Sequence, residues 1–142
     1  FIIVGQDTDG SMTPADMNMD WIVGKNKAFS FIGQRSLSRS DTLRDNRKQL
    51  VGLKTIDPTI VLPEGAQIVN DPKQPIPMAM QGHVTSSYYS ANMGHSIALA
   101  VVKGGLNRLG DTVYCPTADG TTVPAQIVSS VFYDPKGERQ HV

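Results

Sequence analysis

The pattern of apolar and polar residues changes close to residue 56. Before this point, apolar residues recur at helical spacing, as Met17 and Trp21 do four positions apart. Beyond it, short apolar runs are separated by glycines and prolines, and eight of the nine prolines lie from Pro58 onward. The pattern therefore predicts a helical first part and a second part built from short strands.

One strand and two helices are predicted in the first part. Residues 1–4 form an apolar run that predicts a strand. A helix is predicted from Pro14 to Val23, because a threonine that can cap it and a proline suited to its first turn precede the apolar face. A second helix is predicted to begin after Ser30.

The second part contains enough predicted strands for a small antiparallel barrel or sandwich. Asp119 and Gly120 give the clearest hairpin signal, because this pair readily adopts the positive φ angles of a tight turn. The predicted strands are 50–53, 59–62, 66–69, 81–87, 96–102, 112–117, 121–128 and 129–133.

Composition restricts the class of protein without indicating an activity. The 142 residues suffice for roughly one domain with its own core. The charges of thirteen basic and thirteen acidic side chains cancel. This argues against binding of nucleic acid by the net charge of the whole chain. A single cysteine, Cys115, suits a reducing compartment such as the cytoplasm, and no apolar run is long enough to span a membrane.

The chain begins inside an apolar run, without a methionine, a basic leader region or a cleavage site before it. An apolar strand at the end of a chain would be an unprotected sheet edge. We therefore expect this chain to be a fragment of a longer polypeptide.

Basic residues are concentrated between Lys25 and Lys54, where eight of the thirteen stand against two acidic residues. Two interpretations stay open. The stretch is either a solvated face, or a patch that attracts a polyanion such as a polyglutamylated cofactor tail or an acidic partner subunit. Trp21 near Lys25 and Lys27 would suit a flat heterocycle with carboxylates, whereas a lone tryptophan on an amphipathic helix is usually in the core.

Short motifs that resemble catalytic or metal sites fail on their spacing. Residues 7–10 carry the glycine of a calcium loop at the wrong position, so a turn with Asp side chains bonded to backbone N–H groups is expected. Ser96 lies in a motif resembling a nucleophile elbow, but the only later histidine is His141, so a strand residue is expected. Histidines 83, 95 and 141 lack zinc spacing, and the glycines form no dinucleotide fingerprint. No catalytic residue is predicted.

Two groups of motifs, in order along the chain, resemble one protein family. The first group includes Val-Gly-Gln-Asp-Thr-Asp-Gly at 4–10, Asp-Trp-Ile-Val-Gly-Lys at 20–25 and Arg-Lys-Gln-Leu-Val-Gly-Leu at 47–53. The second group includes Gly-His-Val-Thr-Ser-Ser at 82–87 and Gly-Asp-Thr-Val at 110–113. They resemble, respectively, the tail of the folate-binding domain and the C-terminal β-barrel of the glycine cleavage T-protein (aminomethyltransferase) family.

The resemblance implies a division of the chain into two pieces. Residues 1–48 would be the C-terminal piece of a folate-binding domain, contributing a strand and two helices. Residues 49–142 would form a small antiparallel β-barrel domain. The expected fold class is therefore α+β.

Within this superfamily the motifs are most similar to the α subunits of heterotetrameric sarcosine oxidases. Residues 6–10, 47–53, 82–90 and 132–137 carry this likeness. Ser87 stands where the T-protein motif usually has a glycine, and this departure favours the oxidases.

The oxidase resemblance implies an oxidoreductase made of four kinds of subunit. Such an enzyme oxidises the N-methyl group of sarcosine with oxygen, giving glycine, hydrogen peroxide and, with tetrahydrofolate, 5,10-methylenetetrahydrofolate. The region represented by this chain would contact tetrahydrofolate, while FAD, FMN and NAD would bind elsewhere in the complex. Its partners would be the β, γ and δ subunits.

The resemblance also implies residues of the folate site. Trp21 matches the family tryptophan, Lys25 or Lys27 would supply a cation near the folate glutamate, and Tyr133 is nearest to the family's C-terminal tyrosine. The catalytic carboxylates of the family belong to segments outside this sequence. Two alternatives stay open: an aminomethyltransferase of glycine cleavage, and a structural or docking barrel without a site of its own.

Overall fold

The computed structural model describes residues 2–140, and within them an antiparallel sheet of six strands dominates. The strands are β1 (Lys48–Thr55), β2 (Gln67–Ile68), β3 (Gly82–Ser90), β4 (His95–Lys103), β5 (Thr112–Pro116) and β6 (Thr122–Val128). The helical elements of this part of the chain are four short 3₁₀ helices: Asp20–Ile22, Gln34–Ser38, Gly105–Arg108 and Glu138–Gln140.

The sheet curves until its outermost strands meet. Its strand order is β2-β3-β4-β1-β6-β5, so β1 lies near the middle and pairs with both β4 and β6. The outermost strands are joined where Val69, next to β2, exchanges two backbone hydrogen bonds with Tyr114 of β5, at N···O distances of 2.9 and 3.0 Å. This closure makes the sheet a small barrel.

Side chains alternate between the interior and the exterior of the barrel. Val51 and Leu53 of β1 are completely buried in the main core, and Ala98, Ala100 and Val102 of β4 face them. The core is completed by Leu62, Ile68, Val84, Val113, Cys115, Val123, Ala125 and Ile127.

A second, smaller apolar cluster lies on the outside of the sheet. Leu50 of β1 and Val101 of β4 form its sheet side, and Met17 is the buried residue that covers them. Partly buried side chains complete the cluster: Ile2, Met12, Met19 and Leu99. The segment before β1 therefore packs across the outer face of the barrel.

Most predicted strands of the second part are present, and two are wrong. The predictions that correspond to β1, β3, β4, β5 and β6 are confirmed, while 66–69 contains only the two-residue β2 and the bridge at Val69. Residues 59–62 and 129–133 form no strand. The 129–133 segment instead lies against β1, since the carbonyl oxygen of Ser129 and the ring of Phe132 both approach Gly52.

The prediction of regular helices in the first part is wrong. Residues 14–18 form turns in which the N–H groups of Met17 and Met19 both donate to the carbonyl of Pro14. Asn18 has a positive φ of 56°, which ends any continuous α-helix. Only the 3₁₀ turn Asp20–Ile22 follows, and the second predicted helix is reduced to the 3₁₀ helix Gln34–Ser38.

The strand predicted at residues 1–4 is also absent from residues 2–4, and Phe1 lies outside the described residues. Val4 forms an isolated bridge with Thr8. The fold is thus a mostly antiparallel barrel with an irregular N-terminal segment, and the division at residue 48 stays a prediction. Within the described residues, no helix is both long and apolar enough to cross a membrane.

Candidate functional site

A groove of about 800 Å³ lies on the outer face of the barrel. Three parts of the chain form its walls: the N-terminal segment, strands β1 and β4, and the segment that follows β6. Its lining residues are Ile2, Met17, Asn18, Met19, Trp21, Leu50, Ile97, Leu99, Ser130, Val131, Phe132, Tyr133, Asp134 and Gln140. The lining is mainly apolar and aromatic, with a few amide, hydroxyl and carboxyl groups.

The N-terminal wall presents one exposed aromatic side chain. The turn with positive φ at Asn18 separates Met17, which is buried on the sheet, from Trp21, which is 82% exposed. Asparagine tolerates this backbone conformation better than most residues. The expectation that a lone tryptophan lies in the core is therefore wrong for Trp21, which lines the groove with its indole open to solvent.

The C-terminal wall depends on the absence of a side chain at Gly52. A Cβ atom there would lie 2.3 Å from the carbonyl oxygen of Ser129 and 2.7 Å from the ring of Phe132. Further along, the Asp134 carboxylate accepts hydrogen bonds from the N–H groups of Glu138 and Arg139. This turn places the Arg139 guanidinium 5.1 Å from the centre of the Tyr133 ring, within cation–π range.

A buried ion pair fixes the N-terminal wall to the barrel. Arg47 Nε lies 3.0 Å from both carboxylate oxygens of Asp16, and Arg47 Nη2 lies 2.7 Å from Asp16 Oδ2. The Asp16 backbone carbonyl accepts from Leu50 N–H, at an N···O distance of 2.7 Å. Burial opposes ionisation of Asp16, but hydrogen bonds from Arg47 and Thr13 outweigh it and lower the pKa of the carboxyl.

A second buried carboxylate, Asp7, joins the N-terminal segment to β3. Its Oδ1 accepts hydrogen bonds from the hydroxyls of Thr85 and Ser86, and its Oδ2 accepts from Ile3 N–H at 2.8 Å. Strand β3 has an irregular register between Val84 and Ser86, which leaves Thr85 as an additional residue. Such a bulge turns two consecutive side chains toward one face, which explains how both hydroxyls reach one oxygen atom.

The contact between Asp7 and β3 unites two of the motifs that carried the family resemblance. Residues 4–10 and residues 82–87 lie far apart in sequence, yet Gln6 Nε2 donates to the Thr85 carbonyl at 2.8 Å beside the Asp7 contacts. These motif residues act as an attachment between segments. Sequence reasoning missed this role, because Asp7 stands among polar residues and glycines at 5–11, which predict only a turn.

Two of the four predicted site residues lie together, and two lie apart from them. Trp21 and Tyr133 both line the groove. Lys25 and Lys27 are not among the lining residues of the described chain: Lys25 forms an ion pair with Asp20, and Lys27 Nζ lies 5.0 Å from the centre of the Phe31 ring. The roles of all four residues in folate binding stay predictions.

The basic stretch does not form one uniform patch. Arg47 is withdrawn from the surface, with a side chain only 10% exposed and bonds to Asp16 and Asp41. Arg44 also pairs with Asp41. Part of the local positive charge therefore has a structural function that the charge count could not show.

The residues of the motifs that resembled calcium, nucleophile and zinc sites occupy turns and strands of the fold. Asp9 Oδ1 accepts from Ser11 N–H at 2.7 Å, so the expected Asp turn is confirmed, and Ser96 is a strand residue of β4 as predicted. Burial and nearby Lys48 lower the pKa of His83, while His141 lies outside the described residues. Among residues 2–140, no group of three or more His, Cys, Asp or Glu side chains could hold a metal ion.

Comparison with known proteins places this geometry in context. Residues 48–134 match the family model described as Glycine cleavage T-protein C-terminal barrel domain. The sarcosine oxidase subunit alpha of Corynebacterium sp. (strain U-96) is 42% identical over 99% of this chain, which spans only 14% of that relative. An aminomethyltransferase of Nostoc sp. is 30% identical over 92% of this chain and 32% of that protein.

A solved structure shares the fold. The crystal structure of glycine cleavage system aminomethyltransferase T from Bartonella henselae has a TM-score of 0.70 to this chain, at 20% sequence identity. The match covers 92% of this chain and 34% of that structure. At this coverage the match extends beyond the barrel into the segment before β1.

Proposed function

Since the chain belongs to the glycine cleavage T-protein family, whose C-terminal barrel domain it contains, we propose that it is part of the α subunit of a heterotetrameric sarcosine oxidase. The 42% identity to one such subunit, against 30% to an aminomethyltransferase, supports the oxidase over the transferase. Ser87, in place of the usual T-protein glycine, points the same way.

In this proposal the complete enzyme demethylates sarcosine oxidatively. The N-methyl group is oxidised to an imine, oxygen is reduced to hydrogen peroxide, and glycine remains. Tetrahydrofolate accepts the one-carbon unit as 5,10-methylenetetrahydrofolate. The flavins FAD and FMN, together with NAD, belong to other parts of an assembly that also contains β, γ and δ subunits.

The part of this chain in that reaction is to form one wall of the folate site. The observation that carries this proposal is the joint lining of one groove of about 800 Å³ by Trp21 and Tyr133, with the Trp21 indole 82% exposed. Exposed aromatic faces and the apolar surfaces of Met19 and Leu99 suit a flat conjugated ring. The residues therefore fit the ring portion of a reduced folate.

The charged glutamate end of folate needs residues outside the groove. A glutamate tail needs cationic partners, and no lysine or arginine lines the groove within the described residues. Lys25 and Lys27 are exposed side chains outside its lining, and we propose that they meet the tail beyond the groove.

Substitution of Trp21 in the complete multi-subunit enzyme tests the folate wall. Trp21→Ala is expected to raise the KM for tetrahydrofolate about tenfold, equivalent to about 1.4 kcal/mol. The rate of sarcosine oxidation without folate should not change. Trp21→Phe should retain most of the affinity, because it keeps an aromatic face.

Phe29→Ala provides a matched control, since Phe29 is an aromatic side chain that is 70% exposed and does not line the groove. An unchanged KM in Trp21→Ala would contradict the folate wall and leave the barrel as a docking module.

Lys27→Ala should weaken the binding of a polyglutamylated folate more than the binding of a monoglutamylated one. Equal losses of affinity for the two folates would contradict a role for Lys27 in binding the glutamate tail.

The aminomethyltransferase of glycine cleavage is the second candidate, supported by the Nostoc relative and by the shared fold. Sarcosine-dependent hydrogen peroxide production by the complete protein and its partners separates the two functions. Peroxide release supports the oxidase, whereas folate-dependent transfer of an aminomethyl group without oxygen consumption supports the transferase.

A further inference from the structure

A row of side chains crosses the outer face of the sheet at one end of the groove floor. In the strand register, Ile97 of β4 lies between Lys54 of β1 and Tyr88 of β3. Ile97 lines the groove, and side chains that face each other across neighbouring strands stand about 5 Å apart at their Cβ atoms. Lys54 and Tyr88 therefore flank the groove floor from its two sides.

The alternation of β1 places Lys54 on the same side of the sheet as the groove. Successive side chains of a strand point to opposite faces. Leu50 belongs to the outer apolar cluster, and a Cβ atom at Gly52 would point at the ring of Phe132 on the outer face. Lys54 is the next residue in this series, while Leu53 between them lies in the barrel core. The Lys54 side chain thus leaves the sheet beside the groove.

Lys54 is partly buried and has no counter-charge among residues 2–140. Other basic side chains of the described chain are paired, as Arg47 is with Asp16 and Arg108 is with Asp111. An ammonium group has three donors, and it forms its strongest hydrogen bonds with anionic acceptors. Lys54 therefore keeps its capacity to bind an anion.

The groove beside Lys54 suits a ligand with a ring and a carboxylate at one end. Within the described residues, the one charged group of its lining is Asp134, whose carboxylate accepts from the N–H groups of Glu138 and Arg139. A carboxylate on the ligand therefore needs a cation from outside this lining. On the other flank of Ile97, the Tyr88 side chain is 55% exposed and offers an aromatic surface.

We propose that Lys54 and Tyr88 form a carboxylate subsite at this end of the groove. The Lys54 ammonium donates to a carboxylate of the first glutamate of the folate, and the Tyr88 ring packs on the benzoyl ring that carries this glutamate. The subsite rests on the proposed folate wall and adds the residue that recognises the first glutamate. Lys25 and Lys27 then remain for the longer tail beyond the groove.

Anaerobic titration calorimetry of the complete enzyme with tetrahydrofolate, in the absence of sarcosine, tests Lys54. Lys54→Gln is expected to raise the Kd about fivefold, because the charge is lost while a side chain of similar length stays. The loss should shrink at high salt, which screens the charge pair. Lys54→Arg should retain most of the affinity, since a guanidinium also donates to a carboxylate.

A second ligand shows whether the lost contact is the one to the glutamate. 6-Methyltetrahydropterin has the pterin ring without the benzoyl ring and the glutamate, so Lys54→Gln should bind it as tightly as the unmodified enzyme does. Lys103→Gln is the matched control, because Lys103 is an exposed lysine at the far end of β4 and does not line the groove. This control variant should leave the Kd for tetrahydrofolate unchanged.

Tyr88→Ala should also weaken tetrahydrofolate and leave 6-methyltetrahydropterin unaffected, while Tyr88→Phe retains the aromatic surface. Tyr89→Ala is its control. Tyr89 is 54% exposed, but it pairs with Ser96 and faces the opposite side of the sheet from Tyr88. Equal effects of Tyr88→Ala and Tyr89→Ala would overturn the role of Tyr88.

An unchanged Kd for tetrahydrofolate in Lys54→Gln would overturn the subsite. Equal losses for both ligands would also overturn it, because they would indicate a distorted groove. Trp21→Ala separates this failure from failure of the folate wall. If Trp21→Ala weakens both ligands and Lys54→Gln weakens neither, the wall stands and the subsite is wrong. If Trp21→Ala weakens neither ligand, the wall is wrong, and the response of Lys54→Gln to tetrahydrofolate still decides the subsite.

Discussion

Asp7 and Asp16 are buried carboxylates whose charges are satisfied in different ways. Asp16 faces the Arg47 guanidinium, whereas Asp7 accepts from two hydroxyls and one backbone N–H. Both types of contact are strong because charged acceptors strengthen hydrogen bonds. Together they hold the same N-terminal segment to the barrel at two points.

Replacement of Asp7 should loosen this attachment. In Asp7→Asn one oxygen becomes an NH₂ group, which cannot accept from Ile3 N–H while the other oxygen keeps its hydroxyl donors. We expect the free energy of unfolding to fall by about 1–3 kcal/mol in urea denaturation. Asp71→Asn is the matched control, since Asp71 is exposed and accepts only locally from Lys73 N–H. Equal losses in the two variants would disprove a special role for Asp7.

Cys115 should be chemically inert in the folded protein. Its side chain is fully buried on β5, and burial raises the pKa of the thiol to about 12, so the reactive thiolate is scarce at neutral pH. Mass mapping after treatment with iodoacetamide should find the Cys115 peptide unmodified in the native protein and modified in guanidinium chloride. Rapid labelling of the native protein would contradict this burial.

Individual site residues were only partly predictable from the sequence. Trp21 and Tyr133 were named from family resemblance, and their position in one groove required the folded chain. Asp7, Asp16 and Arg47 act through contacts between distant segments, which no local pattern encodes. Arg47 in particular counted as surface charge although its side chain is 10% exposed.

At the scale of elements, strand prediction succeeded where alternation and turn signals agreed. The hairpin of β5 and β6 has both, since Asp119 and Gly120 lie between two alternating runs. The helix predicted at 14–23 failed because Met17 and Trp21 were taken as one apolar face. In the fold Met17 packs on the sheet and Trp21 is 82% exposed, so tertiary contacts override the periodicity.

The segment 129–133 failed as a strand for a related reason. Its β-branched and aromatic residues are typical of a strand, but the segment packs on the outside of β1 through Phe132 and the contact of Ser129 with Gly52. A glycine inside a strand pattern often marks such a close approach of another segment. Gly52 therefore signalled that another segment lies close to β1, although the sequence did not show which segment.

Gly52→Ala should displace the C-terminal wall of the groove. The added Cβ would meet the Ser129 carbonyl oxygen at 2.3 Å, so the segment must shift. We expect a loss of about 1–3 kcal/mol in stability and a higher KM for folate in the complete enzyme. Gly10→Ala is the control, because a Cβ there meets nothing within 4 Å and φ is not in the left-handed region. Unchanged folate binding in a folded Gly52→Ala protein would contradict the wall assignment.

For the whole molecule, the Asp16–Arg47 pair makes attachment of the N-terminal segment sensitive to acid. The pKa of Asp16 in the folded state lies below its ordinary value of 3.8. Its contribution to stability is therefore present above pH 3.8 and is lost as the pH falls through the lower folded pKa.

Asp16→Asn should reveal this dependence. At neutral pH the variant should lose roughly 3 kcal/mol, because the buried Arg47 loses the Asp16 carboxylate and keeps only its bond to the exposed Asp41. The difference from the unmodified protein should narrow as the pH falls below about 4. Urea denaturation at several pH values measures both effects, and a difference that is constant from neutral to acid pH would contradict the ionic contribution.

Closure of the sheet at Val69 and Tyr114 determines how this barrel can be joined to other proteins. At this point the backbone groups of Val69 and Tyr114 already bond to each other, so they offer no template there for an incoming strand. Other proteins then attach through side chains and loops of the barrel. These accept substitutions without disturbing the backbone hydrogen bonds of the sheet. One barrel can in this way serve as an interchangeable part of different enzymes. The similarity of this chain to both an oxidase subunit and an aminomethyltransferase is in keeping with such reuse.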